Sequence, residues 1–120
     1  VLFRSQYAPQ RSLAQANILD SLGYIQYLNG QYEQANETLR RSIAMNDSLP
    51  ASRLHLARVL IKLDNPQEAL EHLNAGRRLA EKDDNAAEWL DKINQELSQL
   101  QASESDEEPL EVSAGQEVTP

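Results

Sequence analysis

The 120-residue sequence contains no cysteine, which excludes disulfide bonds, thiolate metal ligands and thiol nucleophiles. It has one Trp, one Phe and four Tyr, so a core must be built mainly from aliphatic side chains. No apolar run reaches the roughly 18 residues of a transmembrane helix, and the first residues do not follow a signal-peptide pattern. We therefore expect no membrane insertion by this segment, and a cytoplasmic and a periplasmic location both stay open.

Basic residues are too few and too scattered for a nucleic-acid interface. The formal net charge is −8, and six of the 19 acidic residues lie in residues 101–120, where there is no Lys or Arg. The rest of the chain carries 13 acids and 11 bases with the two signs interspersed. Because nucleic acid binding needs a basic stripe, we exclude nucleic acid as a partner.

The residue types that carry catalysis are also scarce. His55 and His72 are the only histidines, and their spacing fits no zinc motif. The four glycines form no phosphate-binding loop. The sequence therefore predicts no enzyme, no cofactor and no metal site, with both histidines at the surface or between helices.

The sequence repeats at an offset of 34 residues. Large residues fall on large residues and small residues on small ones. The matched pairs are Leu22 and Leu56, Gly23 and Ala57, Ile25 and Val59, Gly30 and Asp64, Ala35 and Ala69, Leu39 and Leu73, and Ser42 and Gly76. Ala35 and Ala69 mark positions where two helices approach closely.

Each 34-residue unit is predicted to be a helical hairpin. Ile18, Leu22, Ile25 and Leu28 recur at helical spacing, as do Leu56, Val59, Leu60 and Leu63. The sequences Asn29-Gly30 and Asp64-Asn65-Pro66 interrupt the helices. Asn65, Pro66 and Glu68 form a helix-start signal, so we expect second helices over 31–45 and 66–81.

Two further start signals define the ends of the predicted domain. Ser12 with Gln15 is expected to cap the first helix, leaving residues 6–11 as a loop or as the remnant of a preceding helix. Residues 1–15 together form the predicted N-terminal remnant, of which 1–5 could be non-native. Asn85 with Glu88 is expected to begin a capping helix. The predicted division is repeats over 16–49 and 50–83, a capping helix over 84–101 and a disordered acidic tail over 102–120.

The pattern Leu22-Gly23, Gly30-x-Tyr32-x-x-Ala35 and Leu39 resembles the tetratricopeptide repeat, and the second unit resembles it through Leu56-Ala57, Ala69 and Leu73. The resemblance covers residues 16–100. It implies an all-α helical solenoid of two helix-turn-helix repeats plus a capping helix. Residues 19–24 are also similar to C-terminal repeats of bacterial members of the family, which implies the C-terminal portion of such an array.

The resemblance implies a scaffold that binds another protein or peptide on the concave face formed by the first helices. The residues it places there are Asn17, Asp20, Tyr24, Tyr27, Arg58, Ile61, Lys62 and Lys92, with Leu28, Ala51, Leu54, Glu88 and Gln95 beside them. A partner of acidic character fits the cations among them. Apolar side chains of the partner would contact the tyrosines and the isoleucine.

Alternatives stay open from the residues alone. The two tyrosines either contact a ligand or pack between helices, and the three cations either contact a ligand or form a solvated face. The module is then a peptide-binding scaffold, a structural end-cap without a ligand, or a binding module that its own acidic tail occupies.

Overall fold

The computed structural model is all-α, and it describes the backbone of residues 2–118 and the side chains of residues 12–104. Five α-helices and one short 3-10 helix make up the described backbone. They are α1 (Leu2–Leu28), α2 (Tyr32–Met45), α3 (Pro50–Lys62), α4 (Pro66–Glu81), the 3-10 helix Asp84–Ala86 and α5 (Ala87–Val118). The predicted second helices are thereby confirmed to within one residue.

The helices form two hairpins and a closing helix. Helix α1 packs against α2, and α3 packs against α4. Helix α2 also contacts α3, and α4 also contacts α5, so each second helix lies between two first helices. This arrangement confirms the predicted solenoid of two helix-turn-helix repeats with a capping helix.

Small residues let the two helices of a hairpin approach closely. A β-carbon on Gly23 would lie 2.5 Å from the Cγ of Leu39, so only glycine fits on α1 at this point. The side chains of Leu39 and its repeat equivalent Leu73 are fully buried, as are Ala35 and Ala69. Close packing without voids is what makes such positions sensitive to added volume.

The same helix-ending turn occurs in both hairpins. Gly30 has a φ of 79° and Asp64, its repeat equivalent, has a φ of 61°, both in the left-handed region. In each turn this residue donates its N–H to the carbonyl three positions earlier, and the next residue donates to the carbonyl five positions earlier. The N–O distances are 3.0 and 2.9 Å at Gly30 and 3.1 and 2.8 Å at Asp64. This pairing is the Schellman motif, which satisfies the last carbonyls of the helix.

Ser42 joins the two hairpins by hydrogen bonds. Its buried hydroxyl lies 2.7 Å from the Ala16 carbonyl and 2.8 Å from the Ser52 hydroxyl, so it connects α2 to α1 and to α3. Gly76, the repeat equivalent, has no side chain, and a β-carbon there would lie 3.1 Å from the Ile93 Cδ1 on α5. The first junction is therefore polar at this point and the second is apolar.

Two of the predicted helix starts need correction, and at the start of α4 the position is right but the capping hydrogen bond differs. Helix α1 already runs through Ser12 from Leu2, because a Ser and a Gln three apart are equally compatible with a helix interior. Asn65 is the N-cap of α4, but its side chain donates to the Glu68 carboxylate at 3.2 Å instead of accepting from a backbone N–H. Asp83 caps the 3-10 helix that leads into α5, and its carboxylate accepts the Asn85 N–H at 2.9 Å.

Helix α5 extends beyond the predicted end of the capping helix at residue 101. Its backbone is helical as far as Val118. The acidic side chains from residue 105 onward, and those of residues 1–11, lie outside the described side chains. The disordered tail and the N-terminal remnant stay predictions.

A polar cluster joins α2, α3 and α4. The Glu68 carboxylate accepts from Arg40 at 2.8 Å and lies 3.4 Å from the His72 Nε2, while Arg53 donates to the His72 Nδ1 at 2.9 Å. The hydrogen bond from Arg40 lowers the pKa of Glu68 from its ordinary value. Burial lowers the pKa of His72, since desolvation disfavours the imidazolium and the hydrogen bond to Glu68 opposes this only in part.

We expect Asp64→Gly to stabilise the chain by about 0.5–1 kcal/mol, because glycine adopts a left-handed φ without the steric cost of a β-carbon. Gly30→Ala should destabilise it by about 1 kcal/mol for the converse reason. Urea unfolding of the full chain followed by circular dichroism measures both changes. Asp64→Ala is the matched control, since it removes the charge and keeps the β-carbon. Equal stabilisation by Asp64→Gly and Asp64→Ala would show that charge, not backbone conformation, is responsible.

Stability should fall as pH is lowered through the range where His72 and then Glu68 titrate. Both groups have a lowered pKa in the folded state, so the unfolded chain takes up protons first, and this starts below the ordinary His pKa of 6.5. His72→Gln removes the first of these two steps, and its urea midpoint should change less between pH 7 and pH 5. Identical pH profiles for the parent and the variant would contradict this assignment.

Candidate binding groove on the first helices

The described side chains form a groove of about 450 Å³ on the face shared by α1, α3 and α5. We call this the concave groove. Its lining residues are Asp20, Ser21, Tyr24 and Ile25 on α1, His55 and Arg58 on α3, and Trp89 and Lys92 on α5. All three first helices therefore contribute to a single surface.

Six of the lining residues occupy only two positions of the repeat. Ser21, His55 and Trp89 are 34 residues apart, and so are Tyr24, Arg58 and Lys92. Within each helix the two positions are three apart, which places them side by side on one face. The solenoid thus brings the same two positions of successive units together.

The floor of the groove is built around a buried pair. His55 is 6% exposed and Asp20 is 8% exposed, and the His55 Nδ1 lies 2.8 Å from the Asp20 Oδ1. Tyr24 stacks on the His55 ring at 4.4 Å, and Trp89 meets it edge-on at 5.6 Å between centroids. These contacts hold the aromatic rings of three helices in fixed positions. A ligand would therefore bind to a surface whose side chains are already ordered.

Two cations lie at the rim of the groove. Arg58 donates its Nε to Glu96 at 2.8 Å, so only one edge of the guanidinium is engaged. The Lys92 Nζ lies 4.8 Å from the centre of the Trp89 ring and 3.3 Å from the Glu88 carboxylate. The exposed Lys92–Glu88 pair is weak, and the ammonium can exchange Glu88 for another carboxylate. The rim therefore offers positive charge next to aromatic surface.

The structure brings together four of the eight predicted site residues, namely Asp20, Tyr24, Arg58 and Lys92. Asn17 and Lys62 are exposed but do not line the groove. Tyr27 and Ile61 are half-buried and pack against the core.

Two side chains expected to be available on the concave face are instead buried. The Asp20 carboxylate is committed to His55, and Leu54 is fully buried in the core. For Asp20 the reason is a partner 35 residues away that local spacing does not reveal. The Tyr27 ring centre lies 6.2 Å from that of Tyr24 on α1 and 5.8 Å from that of Tyr32 on α2. Tyr27 therefore packs between these two helices.

Ser21, Ile25, His55 and Trp89 were missed by the sequence prediction of the site. The repeat itself carries the signal, since Ser21, His55 and Trp89 share one position three residues before the predicted Tyr24, Arg58 and Lys92. A helical spacing of three from the predicted position would have pointed to these three residues. Ile25 has no such signal, because its repeat equivalents Val59 and Ile93 are fully buried.

Other kinds of site are not seen in the described part of the chain. Among the side chains of residues 12–104, no three His, Asp or Glu residues cluster in a way that would hold a metal ion. None of the described helices has the length and hydropathy needed to cross a bilayer.

The hairpins, the 34-residue period and the concave groove define a tetratricopeptide-type repeat protein, a class that presents extended concave surfaces to other molecules. Comparison with models of known protein families supports the same class. Residues 6–76 match the model described as "Anaphase-promoting complex, cyclosome, subunit 3", and the chain belongs to this family of tetratricopeptide-like repeats.

A solved structure shares the fold. The chain is similar to one in the structure described as "Crystal Structure of a T3SS complex from Aeromonas hydrophila", with a TM-score of 0.70 and 20% sequence identity. The match covers 76% of this chain and 61% of the other, so our chain matches less than two thirds of the length of that neighbour. A search of curated proteins gives no significant match.

His55→Ala should lower the free energy of unfolding by about 1–3 kcal/mol, because the buried Asp20 carboxylate loses its hydrogen-bond donor. Asp20→Asn should cost less, since the amide oxygen can still accept from His55. Urea unfolding measures both costs, and native-state fluorescence of Trp89, the only Trp, reports on the groove. An unchanged emission spectrum in His55→Ala, or a larger cost for Asp20→Asn, would contradict the described floor.

Proposed function

We propose that the chain is a non-enzymatic protein-interaction module that binds a peptide segment of another protein in the concave groove. The observation that carries this proposal is that all three first helices place aromatic or cationic side chains around one open groove. The repeat fold supports a role in binding, because arrays of this type use their concave surfaces for recognition. The matching family and the structural neighbour are both described as parts of multi-protein complexes, which supports a protein partner.

The chemistry of the groove favours a ligand that combines an apolar side chain with a carboxylate. Trp89, Tyr24 and Ile25 offer apolar surface, and aromatic anchors of this kind usually contribute most of the binding energy. Arg58 and Lys92 lie beside this surface and can receive a carboxylate of the ligand. Lys62 is exposed one helical turn beyond Arg58 and extends the positive charge along α3.

A structural end-cap without a ligand is the alternative. The closing position of α5 over α4 fits such a role as well. The two functions make different demands on the groove residues. An end-cap requires only that the domain stays folded, whereas a binding module also requires the positive charge on the groove surface.

Reversal of charge on the concave face should therefore weaken peptide binding without unfolding the chain. The probe is a set of peptides selected from a random display library on the full chain, with affinity followed by Trp89 fluorescence. Lys62→Glu with Lys92→Glu should weaken binding about tenfold or more, which corresponds to ~1.4 kcal/mol. The selected peptides should carry Asp or Glu beside an aromatic or aliphatic residue.

The matched control is Arg78→Glu with Lys82→Glu. Both residues are exposed near the end of α4, away from the groove, and the double replacement makes the same change in net charge. This control should retain affinity. If neither library selection nor titration yields a peptide that distinguishes the two double variants, the end-cap function is supported instead.

A further inference from the structure

A small cavity lies at the end of the second hairpin where α3 begins and α4 ends. Its volume is about 250 Å³, which is below the range of ordinary small-molecule sites and suits a single chemical group. It shares no lining residue with the concave groove. We call it the basic pocket, and its lining residues are Asp47 in the loop between α2 and α3, Arg53 in the first turn of α3, and Ala75, Arg78, Leu79 and Lys82 at the end of α4.

Three cations and one carboxylate line the basic pocket, which gives it a local charge of +2 in a chain whose net charge is −8. None of the three cations forms an ion pair with a carboxylate among the described side chains, and this includes the Asp47 carboxylate. Elsewhere, Arg40, Arg58 and Lys92 each have such a partner. The positive charge of the pocket is therefore not neutralised by the side chains of residues 12–104.

Arg53 is held in place from two sides. Its stem packs against α4 at Gly76, where a β-carbon would lie 3.0 Å from the Arg53 Cβ. Its Nη1 donates to the His72 Nδ1 at 2.9 Å. Its Nε is buried and has no hydrogen-bond acceptor among the described residues. An unpaired buried donor is unfavourable, so this guanidinium is preorganised and still has donor capacity for an external acceptor.

We propose that the basic pocket binds a phosphate group. A phosphate ester carries a charge of about −1.5 to −2 near neutral pH and three acceptor oxygens, which matches the local charge of +2 and the three cations. A single carboxylate would neutralise only half of that charge. An arginine guanidinium can hold two phosphate oxygens at once, and the exposed side chains of Arg78 and Lys82 can turn toward the group. This proposal does not depend on a ligand in the concave groove.

Titration of the full chain with sodium phosphate tests the proposal by ¹H–¹⁵N NMR at about pH 7.5, where phosphate esters are dianions. Sodium chloride of matched ionic strength is the reference. Phosphate should cause saturable shifts of the backbone amides of residues 47–53 and 75–82 and of the Arg53 Nε–H signal. The amides of Tyr24 and Trp89 in the concave groove should not shift.

Arg78→Gln with Lys82→Gln should weaken phosphate binding about fivefold or more, because both side chains lose their charge-assisted hydrogen bonds. The matched control is Arg41→Gln with Lys62→Gln, which makes the same change in net charge at two exposed residues outside the pocket and should retain affinity. Asp47→Asn should tighten binding about two- to fivefold, since it removes the one carboxylate among the described residues that line the pocket.

Two end-blocked tripeptides, one with a central phosphoserine and one with a central glutamate, distinguish the sources of the group. Tighter binding of the phosphoserine peptide than of inorganic phosphate indicates a phosphorylated protein as the ligand. Equal or weaker binding indicates free phosphate. A glutamate peptide that binds as tightly as phosphate would overturn the proposal, as would phosphate shifts that sodium chloride reproduces.

An unchanged phosphate affinity in the Arg78→Gln with Lys82→Gln variant would also overturn the proposal. A lower urea midpoint in such a variant would show that these cations serve only the C-terminal dipole of α4. Lys62→Glu with Lys92→Glu should leave phosphate binding intact whether or not it weakens peptide binding in the concave groove. The phosphate site and the proposed function therefore fail independently of each other.

Discussion

The structure depends on one packing constraint, which is that each second helix must bury its apolar side between two first helices. Helices α2 and α4 meet this constraint with small residues at the points of closest approach and a fully buried leucine between them. At Gly23 the helices are so close that an added β-carbon would meet the Leu39 side chain, whereas the second hairpin accommodates Ala57 at the equivalent position. The second helices thereby hold the first helices next to one another, where they line the concave groove.

The groove gains its chemical variety because two positions of each first helix face the groove and not the adjacent second helices. One position holds Ser21, His55 and Trp89, and the other holds Tyr24, Arg58 and Lys92. The residues that share a position differ in size, charge and hydrogen-bonding capacity, while the buried leucines of the second helices are the same in both units. A repeat of this kind keeps its scaffold constant and varies its surface, which is the usual way in which solenoids acquire different partners.

The fold was predictable from the sequence because its strongest signals are local. Asn29-Gly30 and Asn65-Pro66 restrict the backbone whatever surrounds them, and the first helices end and the second helices begin beside these residues, as predicted. The starts of α1 and α5 were mistaken because Ser12 lies inside a helix that already runs from Leu2, and because Asp83 takes the capping role two residues before Asn85.

The candidate site was predictable only in part. Tyr24, Arg58 and Lys92 follow from helix position and from the repeat. The burial of Asp20 does not follow from either, because it depends on His55, which another helix brings within 2.8 Å. The exposure of Ile18, Leu22 and Ile25 is likewise invisible to hydropathy, since periodicity shows that a face is apolar and not whether another helix covers it.

The hydrogen bond between Ser42 and Ser52 has a consequence for the mechanics of the solenoid. Apolar contacts such as that of Gly76 with Ile93 tolerate a small rotation of one hairpin against the next, whereas a hydrogen bond is directional and weakens steeply when its angle changes. The rotation between the first and second hairpins is therefore fixed more firmly at this point of contact than the rotation between the second hairpin and α5. At this repeat position one junction is therefore held by a pair of hydroxyl groups and the other by shape alone.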